Sequence, residues 1–344
     1  GTDTAEEGRM IAFTGWKSLK KIDAHLHILP DAVHAANPDS EDAWLHTSLD
    51  QYCVMMDELH IEKAVIMPLN DPWLMSMAFT VDAVHQHLRE MKQRYPGRFY
   101  TFADVDTRNT PARSAEAIAR ALDCGDLDGV KIHPNNTGIA LDDAYNDPIF
   151  SLAQQRKIPV AIHSYPNRED DVSAARRILK VRERYPDLTL IVSHMSAFQW
   201  EALLPIGCYV DMSAILPDYV RTFGIARTEE ILRSFGTDRL LFATDYPDSR
   251  SLPPLRSMRP ISTRWIRCTS RRRKQSESRF KTRKRFLHNT PGKLSSVSSP
   301  AALRQKRRGV VLRALEQCAW NTGLFLPERE PFSERIYACI RQRK

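Results

Sequence analysis

The hydrophobic positions of residues 20–250 fall into short apolar runs separated by longer stretches with helical spacing. Helical spacing covers 49–61, 77–97, 111–125 and 172–186. The apolar runs, which are typical of buried strands, cover 21–28, 63–69, 99–106, 128–134, 159–164, 188–195, 208–214 and 239–247. Because strands separated by helices pair in parallel through right-handed crossovers, eight such units predict an α/β fold, a (β/α)8 TIM barrel.

Two histidines follow the first β-prone segment in "KIDAHLHILPD", residues 21–31. Residues i and i+2 of a strand share a face, so His25 and His27 are expected to project side by side. Two imidazoles can bind one metal ion, but they need further ligands to hold it. The reactive mouth of such a barrel lies at the carboxyl ends of the strands, and closure places strand 8 beside strand 1. We therefore expect Asp245 to meet the histidine pair. Further candidates at strand ends are Lys131, His133, His163 and His194.

The segments "DAHLH", "GVKIHP", "IHS", "SHM" and "ATDYP" together resemble the amidohydrolase superfamily. They are most similar to the amidohydrolase-related branch that includes aminocarboxymuconate semialdehyde decarboxylase, and the resemblance covers about residues 20–250. It implies that His194 is a catalytic or substrate-orienting residue. It also implies one divalent metal ion, for which we expect zinc, bound by His25, His27, His163 and Asp245.

The resemblance leaves two roles open for Lys131. This residue is either a carboxylated ligand that bridges two metal ions or a charged contact to the substrate. We favour the second role, because a site with one metal ion is complete without Lys131. Together with His133 and with Arg168, just past strand 5, it forms our predicted substrate-binding set for a small, anionic molecule.

Two reactions suit such a site. A divalent ion lowers the pKa of bound water to about 7, so hydrolysis of a C–O or C–N bond is our first expectation. Asp245 would then shuttle the proton, and His194 would stabilise the developing oxyanion. Metal-dependent decarboxylation of an unsaturated or aromatic acid is the second. No G-x-G-x-x-G or G-x-x-x-x-G-K-[ST] loop follows any predicted strand, which argues against nucleotide-binding α/β folds.

The charge of the chain changes abruptly near residue 250. Residues 1–249 hold 25 Lys and Arg against 37 Asp and Glu, whereas residues 250–344 hold 25 Lys and Arg against five Glu. We therefore divide the chain into an N-terminal extension, 1–19, the barrel, 20–250, and a basic tail, 251–344. Three explanations fit the tail: a nucleic-acid-binding arm, a disordered, solvated appendage, or an out-of-frame translation, which we favour. A barrel without its last helix could also be damaged and inactive, which is our alternative to an enzyme.

Several weaker expectations complete this interpretation. No apolar run reaches the roughly 20 residues of a membrane span, and the first ten residues are polar and acidic, unlike a secretory leader. The six cysteines lie far apart, which favours a reducing cytoplasm over a disulfide scaffold. A homodimer is possible for this family. His85 and His87 repeat the H-x-H spacing within a predicted helix, where we expect both to be exposed.

Overall fold

The computed structural model describes residues 20–71, 80–236 and 238–248. The predicted N-terminal extension, 1–19, and the predicted basic tail, 251–344, lie outside the described residues. The division into these segments, and the three explanations for the tail, therefore stay predictions.

Eight parallel strands form one sheet in the order β1 to β8. They are β1 Lys21–Leu26, β2 Ile61–Ile66, β3 Phe99–Ala103, β4 Gly129–Ile132, β5 Val160–His163, β6 Leu190–Ser193, β7 Tyr209–Asp211 and β8 Leu240–Leu241. All eight predicted strands are confirmed. Most are shorter than the apolar runs, because the last residues of each run leave the sheet to form the mouth of the barrel.

The sheet closes on itself between its first and last strands. The backbone N–H of Ala24 donates to the carbonyl of Phe242 at 2.9 Å, and the N–H of Asp245 donates to the carbonyl of His25 at 2.8 Å. These bonds complete the TIM barrel that the sequence predicts. They also bring the segment that carries Asp245 next to β1.

Eight α-helices and three 3₁₀ segments connect the strands within the described residues. The helices are α1 Asp31–Ala36, α2 Leu49–Glu58, α3 Val81–Arg94, α4 Pro111–Asp123, α5 Pro134–Thr137, α6 Asp147–Arg156, α7 Ala175–Arg184 and α8 Leu216–Ser234. The 3₁₀ segments cover Ala43–His46, Ala144–Asn146 and His194–Ile206. No described helix is both long enough and apolar enough to cross a membrane.

Side-chain caps explain where the helices before and after β3 begin. The Thr80 hydroxyl accepts the N–H of Ala83 at the start of α3, and the Thr110 hydroxyl accepts the N–H of Arg113 at the start of α4. Pro111 then occupies the first turn of α4, where its missing N–H costs nothing.

The buried apolar residues form two layers, one between the strands and the helices and one inside the barrel. The inner layer consists of Ile22, Ala24, Val65, Met67, Phe102, Ala161, Ile191, Leu241 and Ala243. The Phe102 ring fills so much of this space that a Cβ atom at Gly129 would lie 2.7 Å from it. Only glycine therefore fits at the start of β4.

The predicted exposure of His85 and His87 is wrong. His85 is buried on α3, and its Nε2 accepts the backbone N–H of Asp104 at 2.8 Å. His87 is half-buried, with its Nε2 3.0 Å from the carbonyl oxygen of Ile28. Both histidines of this H-x-H pair therefore pack against other parts of the protein instead of facing solvent.

Candidate metal centre

The two histidines of the H-x-H motif lie at the end of β1, at the mouth of the barrel. His25 and His27 are both buried, and their ring centroids lie 4.9 Å apart. Leu26, between them, packs in the outer core layer, which is the alternation that the sequence predicts. The two imidazoles therefore share one side of β1.

Three donor atoms converge at this point. The Nε2 atoms of His25 and His27 lie 2.9 Å apart, and each lies 3.4 Å from Oδ1 of Asp245. Ligands bound at about 2.0–2.2 Å to one ion are separated by about 3 Å, so this triangle has the size of one face of a coordination sphere. Among the described residues, His25, His27 and Asp245 are the group that could hold a metal ion.

The hydrogen bonds of the two histidines orient the correct nitrogen toward this point. His25 Nδ1 donates to Asp211 Oδ2 at 3.0 Å, and His27 Nδ1 donates to the carbonyl oxygen of Met67 at 2.8 Å. A neutral imidazole that donates from Nδ1 keeps a lone pair on Nε2. This is the arrangement in which a protein presents histidine to a metal.

The protonation states of His25, His27 and Asp245 also suit metal binding. Burial, helped by the charge of Lys131, lowers the pKa of His25 to about 4, and burial also lowers the pKa of His27. For Asp245, burial favours the neutral acid, but the neighbouring histidines outweigh it and hold the pKa of this carboxyl below its usual range. Two neutral imidazoles and one carboxylate are the forms that bind a divalent ion.

Asp211, which our sequence analysis did not identify, supports two histidines from the end of β7. Its carboxylate accepts from His25 Nδ1, from the backbone N–H of His194 at 3.1 Å and from Ser213 Oγ at 2.6 Å. Burial disfavours its charge, yet the contact with His25 keeps the pKa of Asp211 below its usual range. The available signal was its position at a strand end, in "YVDMS".

Asp23, a second unidentified residue, links β1 to the segment before Asp245. It accepts the N–H of Thr244 at 3.0 Å, the Thr244 hydroxyl at 2.5 Å and the Tyr52 hydroxyl at 2.6 Å. Burial raises the pKa of Asp23 to about 6 despite these bonds. The carboxyl therefore fixes the register of the two chain segments that carry His25, His27 and Asp245.

His194 and His163 stand beside the triangle as a hydrogen-bonded pair. His194 Nδ1 lies 3.0 Å from the carbonyl oxygen of Ser213, which only accepts, so Nδ1 carries the proton and Nε2 is an acceptor. His163 Nδ1 then donates to His194 Nε2 at 3.2 Å. This assignment leaves a lone pair on His163 Nε2. The role of His163 as a fourth ligand, and of His194 as a catalytic group, stay predictions.

The backbone at the mouth holds conformations that are uncommon for residues other than glycine. His194, Met195, Ser196 and Ala197 have φ between 47° and 59°, and Asp245 has φ of 52°. Such left-handed residues occur where the surrounding structure imposes them, most often at functional sites. Here they turn the chain sharply at the ends of β6 and β8.

The three predicted substrate-binding residues take different places. Lys131 is fully buried, with Nζ 3.2 Å from His25 Nε2, and burial lowers its pKa to about 8. His133 stacks on His163 with ring centroids 3.7 Å apart, at the edge of the cavity. Arg168 is exposed and pairs with Asp170 at 3.0 Å, away from the residues that line the cavity. Their contacts to a substrate stay predictions.

A cavity of about 530 Å³ opens above the triangle. This volume lies within the range of about 300–1,000 Å³ that small-molecule sites occupy. Its described lining includes His27, Trp44, Leu69, Tyr165, His194 and Asp245. Trp44 reaches the site from the 3₁₀ segment after α1, with its ring 5.5 Å from that of His27.

Several solved structures are similar in fold to this chain. One is 2,6-dihydroxybenzoate decarboxylase from Rhizobium, with a TM-score of 0.50, 17% identity, and 67% of this chain and 88% of that chain covered. Another is 5-carboxyvanillate decarboxylase from Novosphingobium aromaticivorans, complexed with manganese and 4-hydroxy-3-methoxy-5-nitrobenzoic acid, with a TM-score of 0.51, 16% identity and coverage of 72% and 92%. A third is an uncharacterised TIM-barrel protein from Bordetella bronchiseptica, with a TM-score of 0.52, 21% identity and coverage of 67% and 86%.

The sequence comparisons give one clear assignment. No curated protein matches the chain. The amidohydrolase family profile, in contrast, matches residues 22–256, which is more than half of the chain and includes every donor atom of the triangle. The chain therefore belongs to the amidohydrolase family.

Proposed function

We propose that this protein is a metal-dependent decarboxylase that releases CO2 from an aromatic or unsaturated carboxylic acid. The observation that carries the proposal is the convergence of His25, His27 and Asp245 beside a cavity of about 530 Å³. The similar barrels of 2,6-dihydroxybenzoate decarboxylase and 5-carboxyvanillate decarboxylase support this reaction over hydrolysis. The ranking that we derived from the sequence is therefore reversed.

His25, His27 and Asp245 would hold the metal ion, with His163 as the proposed fourth ligand. When bound, a divalent ion would supply a positive charge that accepts the carboxylate and an adjacent oxygen of the substrate. Similar decarboxylase structures hold manganese, whereas we expected zinc from the sequence. Imidazole and carboxylate donors accept both metals, so we propose one divalent ion and test both.

The walls of the cavity suit a planar substrate. Trp44 and Tyr165 offer aromatic surfaces, and Leu45 and Leu69 offer aliphatic ones. The described lining contains no Lys or Arg, so the charge that attracts the carboxylate would come from the metal centre. Lys131 is not among these lining residues, but its Nζ lies 3.2 Å from His25 Nε2, where it adds positive potential to the metal centre.

Proton transfer completes the reaction. Loss of CO2 leaves an electron pair on the substrate carbon, and one proton from solvent replaces the carboxylate there. His194 lines the cavity, and its Nε2, which accepts from His163 Nδ1 at 3.2 Å, would take up and release this proton when that hydrogen bond opens. Asp245 remains ionised and stabilises the protonated imidazole. Asp211 orients His194 through its backbone N–H.

Hydrolysis of a C–O or C–N bond is the second candidate. The ionised Asp245 beside two neutral imidazoles also suits a carboxylate that withdraws a proton from water. The two reactions differ in their products, since only decarboxylation yields CO2 and a new C–H bond.

The test uses the protein loaded with Mn²⁺ or Zn²⁺ and two substrate panels, one of hydroxybenzoic and unsaturated acids and one of lactones and amides. We expect CO2 from at least one acid, and product made in D2O should carry one deuterium at the carbon that lost CO2. Asp245→Asn should abolish this release. Hydrolysis products without CO2 would overturn the proposal in favour of the second candidate.

A further inference from the structure

Two buried oxygen atoms lie unpaired beside the cavity wall, at the ends of β2 and β3. Asn70 and Asp104 are 3% and 1% exposed, and Asn70 Nδ2 donates to Asp104 Oδ1. The remaining oxygens, Asn70 Oδ1 and Asp104 Oδ2, are buried and have no hydrogen-bond partner among the described residues. Burying two acceptors without a donor costs folding free energy. We therefore expect a hydrogen atom that both oxygens can share.

No described basic side chain pairs directly with the Asp104 carboxyl, although the charge of Arg108 acts on it from a distance. His85 Nε2 accepts the backbone N–H of Asp104, and burial lowers the pKa of His85 to about 4, so this imidazole is neutral. Arg108 is paired with Asp106 at 2.9 Å, and none of the described basic side chains forms an ion pair with Asp104. The titratable and charged groups near it are Asp71 after β2, Asp82, His85 and His87 on α3, Asp106 and Arg108 after β3, and Arg113, Glu116 and Arg120 on α4.

We propose that Asp104 carries a proton in the folded protein and forms a two-bond carboxylic acid–amide pair with Asn70 that positions one wall of the cavity. In this pair the carbonyl oxygen Oδ1 accepts from Asn70 Nδ2 and from the N–H of Val105 at 2.8 Å. The hydroxyl at Oδ2 donates to Asn70 Oδ1. Both unpaired oxygens gain a partner, and no charge remains buried.

The tendency of Asp104 to hold a proton agrees with this geometry. Burial raises the pKa of Asp104 to about 7, against the opposing hydrogen bonds from Asn70 and Val105. A bound water molecule could donate to both oxygens as well, but it would leave a buried carboxylate charge without a direct ion-pair partner. The two arrangements therefore differ in the protonation state of Asp104, which can be measured.

The pair connects to the cavity through the chain segment that it holds. Asn70 has φ of 50°, and its neighbours Leu69 and Asp71 line the cavity. The carbonyl of Leu69 accepts from Asn136 Nδ2 at 2.8 Å, and Asn136 also lines the cavity. Asp104 is thus a positioning residue that belongs neither to the metal donors nor to the lining of the cavity above the triangle. Its positioning role rests on the proposed function, whereas its protonation does not.

The first test compares the wild type with Asp104→Asn and Asp104→Ala by thermal unfolding at pH 5 and pH 8. Because the pKa of Asp104 is raised in the folded protein, its stabilisation is present at low pH and is lost as pH rises toward 7. An Asn side chain mimics the protonated acid at every pH. Between pH 5 and pH 8, the Tm of the wild type should fall by about 5 °C more than the Tm of Asp104→Asn falls. Asp104→Ala should be less stable at both.

The second test detects the proton directly in the wild type. Infrared difference spectra should show a buried carboxylic acid band at pH 5 that Asp104→Asn lacks. The KM for a substrate found in the decarboxylation assay should rise about tenfold in Asp104→Ala and stay near the wild-type value in Asp104→Asn. If no substrate releases CO2, thermal unfolding and infrared spectroscopy still test the protonation of Asp104.

Two results would overturn the inference. Equal pH dependence of Tm in the wild type and in Asp104→Asn would show that Asp104 does not exchange a proton in this range. Absence of the acid band at pH 5 would show an ionised carboxylate, satisfied by water or by a cation. If Asp104→Asn fails to fold, Asp104→Ala replaces it as the reference for the acid band, because the buried Asp23 also titrates between pH 5 and pH 8.

Discussion

The same strands form the lower half of the barrel and its mouth, but the lower half buries apolar side chains and the mouth buries ionisable ones. Inside the lower half, apolar side chains such as those of Ile22, Phe102 and Leu241 pack against one another. A few residues further along, the mouth buries His25 and Asp211 with a direct hydrogen bond between them. Along β1, the apolar Ile22 and the ionisable His25 are three residues apart, and along the β8 segment Leu241 and Asp245 are four residues apart.

This difference separates stability from function. Apolar burial in the lower half stabilises the barrel by about 25 cal/mol per Å² of apolar surface. Buried ionisable groups and left-handed residues at the mouth are costly without a compensating role. Variants of the mouth should therefore change metal binding more than stability, and variants of the lower half should do the reverse.

The largest expected effect is that of Asp245→Asn on metal binding and activity. The amide lacks the charge that balances a divalent ion between His25 and His27, so the variant should bind metal at least 100-fold more weakly. Decarboxylation should fall at least 1,000-fold, about 4 kcal/mol in the activation free energy. Metal titration and CO2 release measure both. Asp187→Asn, on the exposed surface, is the matched control. Normal metal content in Asp245→Asn would contradict the assignment.

Phe102→Ala should have the complementary effect in the lower half. Removing this fully buried ring leaves a cavity beside Gly129 and should reduce the free energy of unfolding by about 3–5 kcal/mol. Denaturant unfolding measures the loss. Phe223→Ala, on a side chain that is 37% exposed, should cost much less. The separation of stability from metal binding would be contradicted if Phe102→Ala stays stable. It would also be contradicted if the folded fraction of this variant no longer binds metal.

Asp211→Asn should weaken metal binding without abolishing it. Asp211 does not belong to the metal-binding triangle but fixes the tautomer of His25 through a 3.0 Å hydrogen bond. Loss of such a supporting carboxylate typically lowers metal affinity 10–100-fold. Competition with a chelator of known affinity measures the change. An affinity equal to that of the wild type would show that Asp211 only supports the fold.

His85→Gln should give a smaller, pH-dependent effect outside the mouth. The pKa of His85 is lowered to about 4, so its contribution to stability is present above about pH 6.5 and is lost as pH falls. The wild type should lose about 2–3 kcal/mol more than His85→Gln between pH 6.5 and pH 4. Urea unfolding at several pH values measures this. Parallel curves for the two proteins would mean that the imidazole is not buried.

The barrel could be predicted from the sequence because its strands are short, buried and regularly spaced. The same reasoning placed Asp245 beside His25, since closure of a barrel is a rule of topology. Asp211 was missed although it also stands at a strand end, because the sequence does not show that its carboxylate contacts His25, 186 positions away. His85 was a different error. It lies on the buried stripe that Val81, Val84 and Leu88 mark at helical spacing, and this signal was in the sequence.

Metal analysis of the purified protein tests the central claim most directly. The protein is dialysed against Mn²⁺ or Zn²⁺ at neutral pH, freed of loose metal and analysed for content and for coordination by X-ray absorption. We expect one ion per chain, bound by imidazole nitrogen and carboxylate oxygen, and loss of that ion in His25→Ala, His27→Ala and Asp245→Asn. Retention of no ion, or an ion that all three variants keep, would contradict the account.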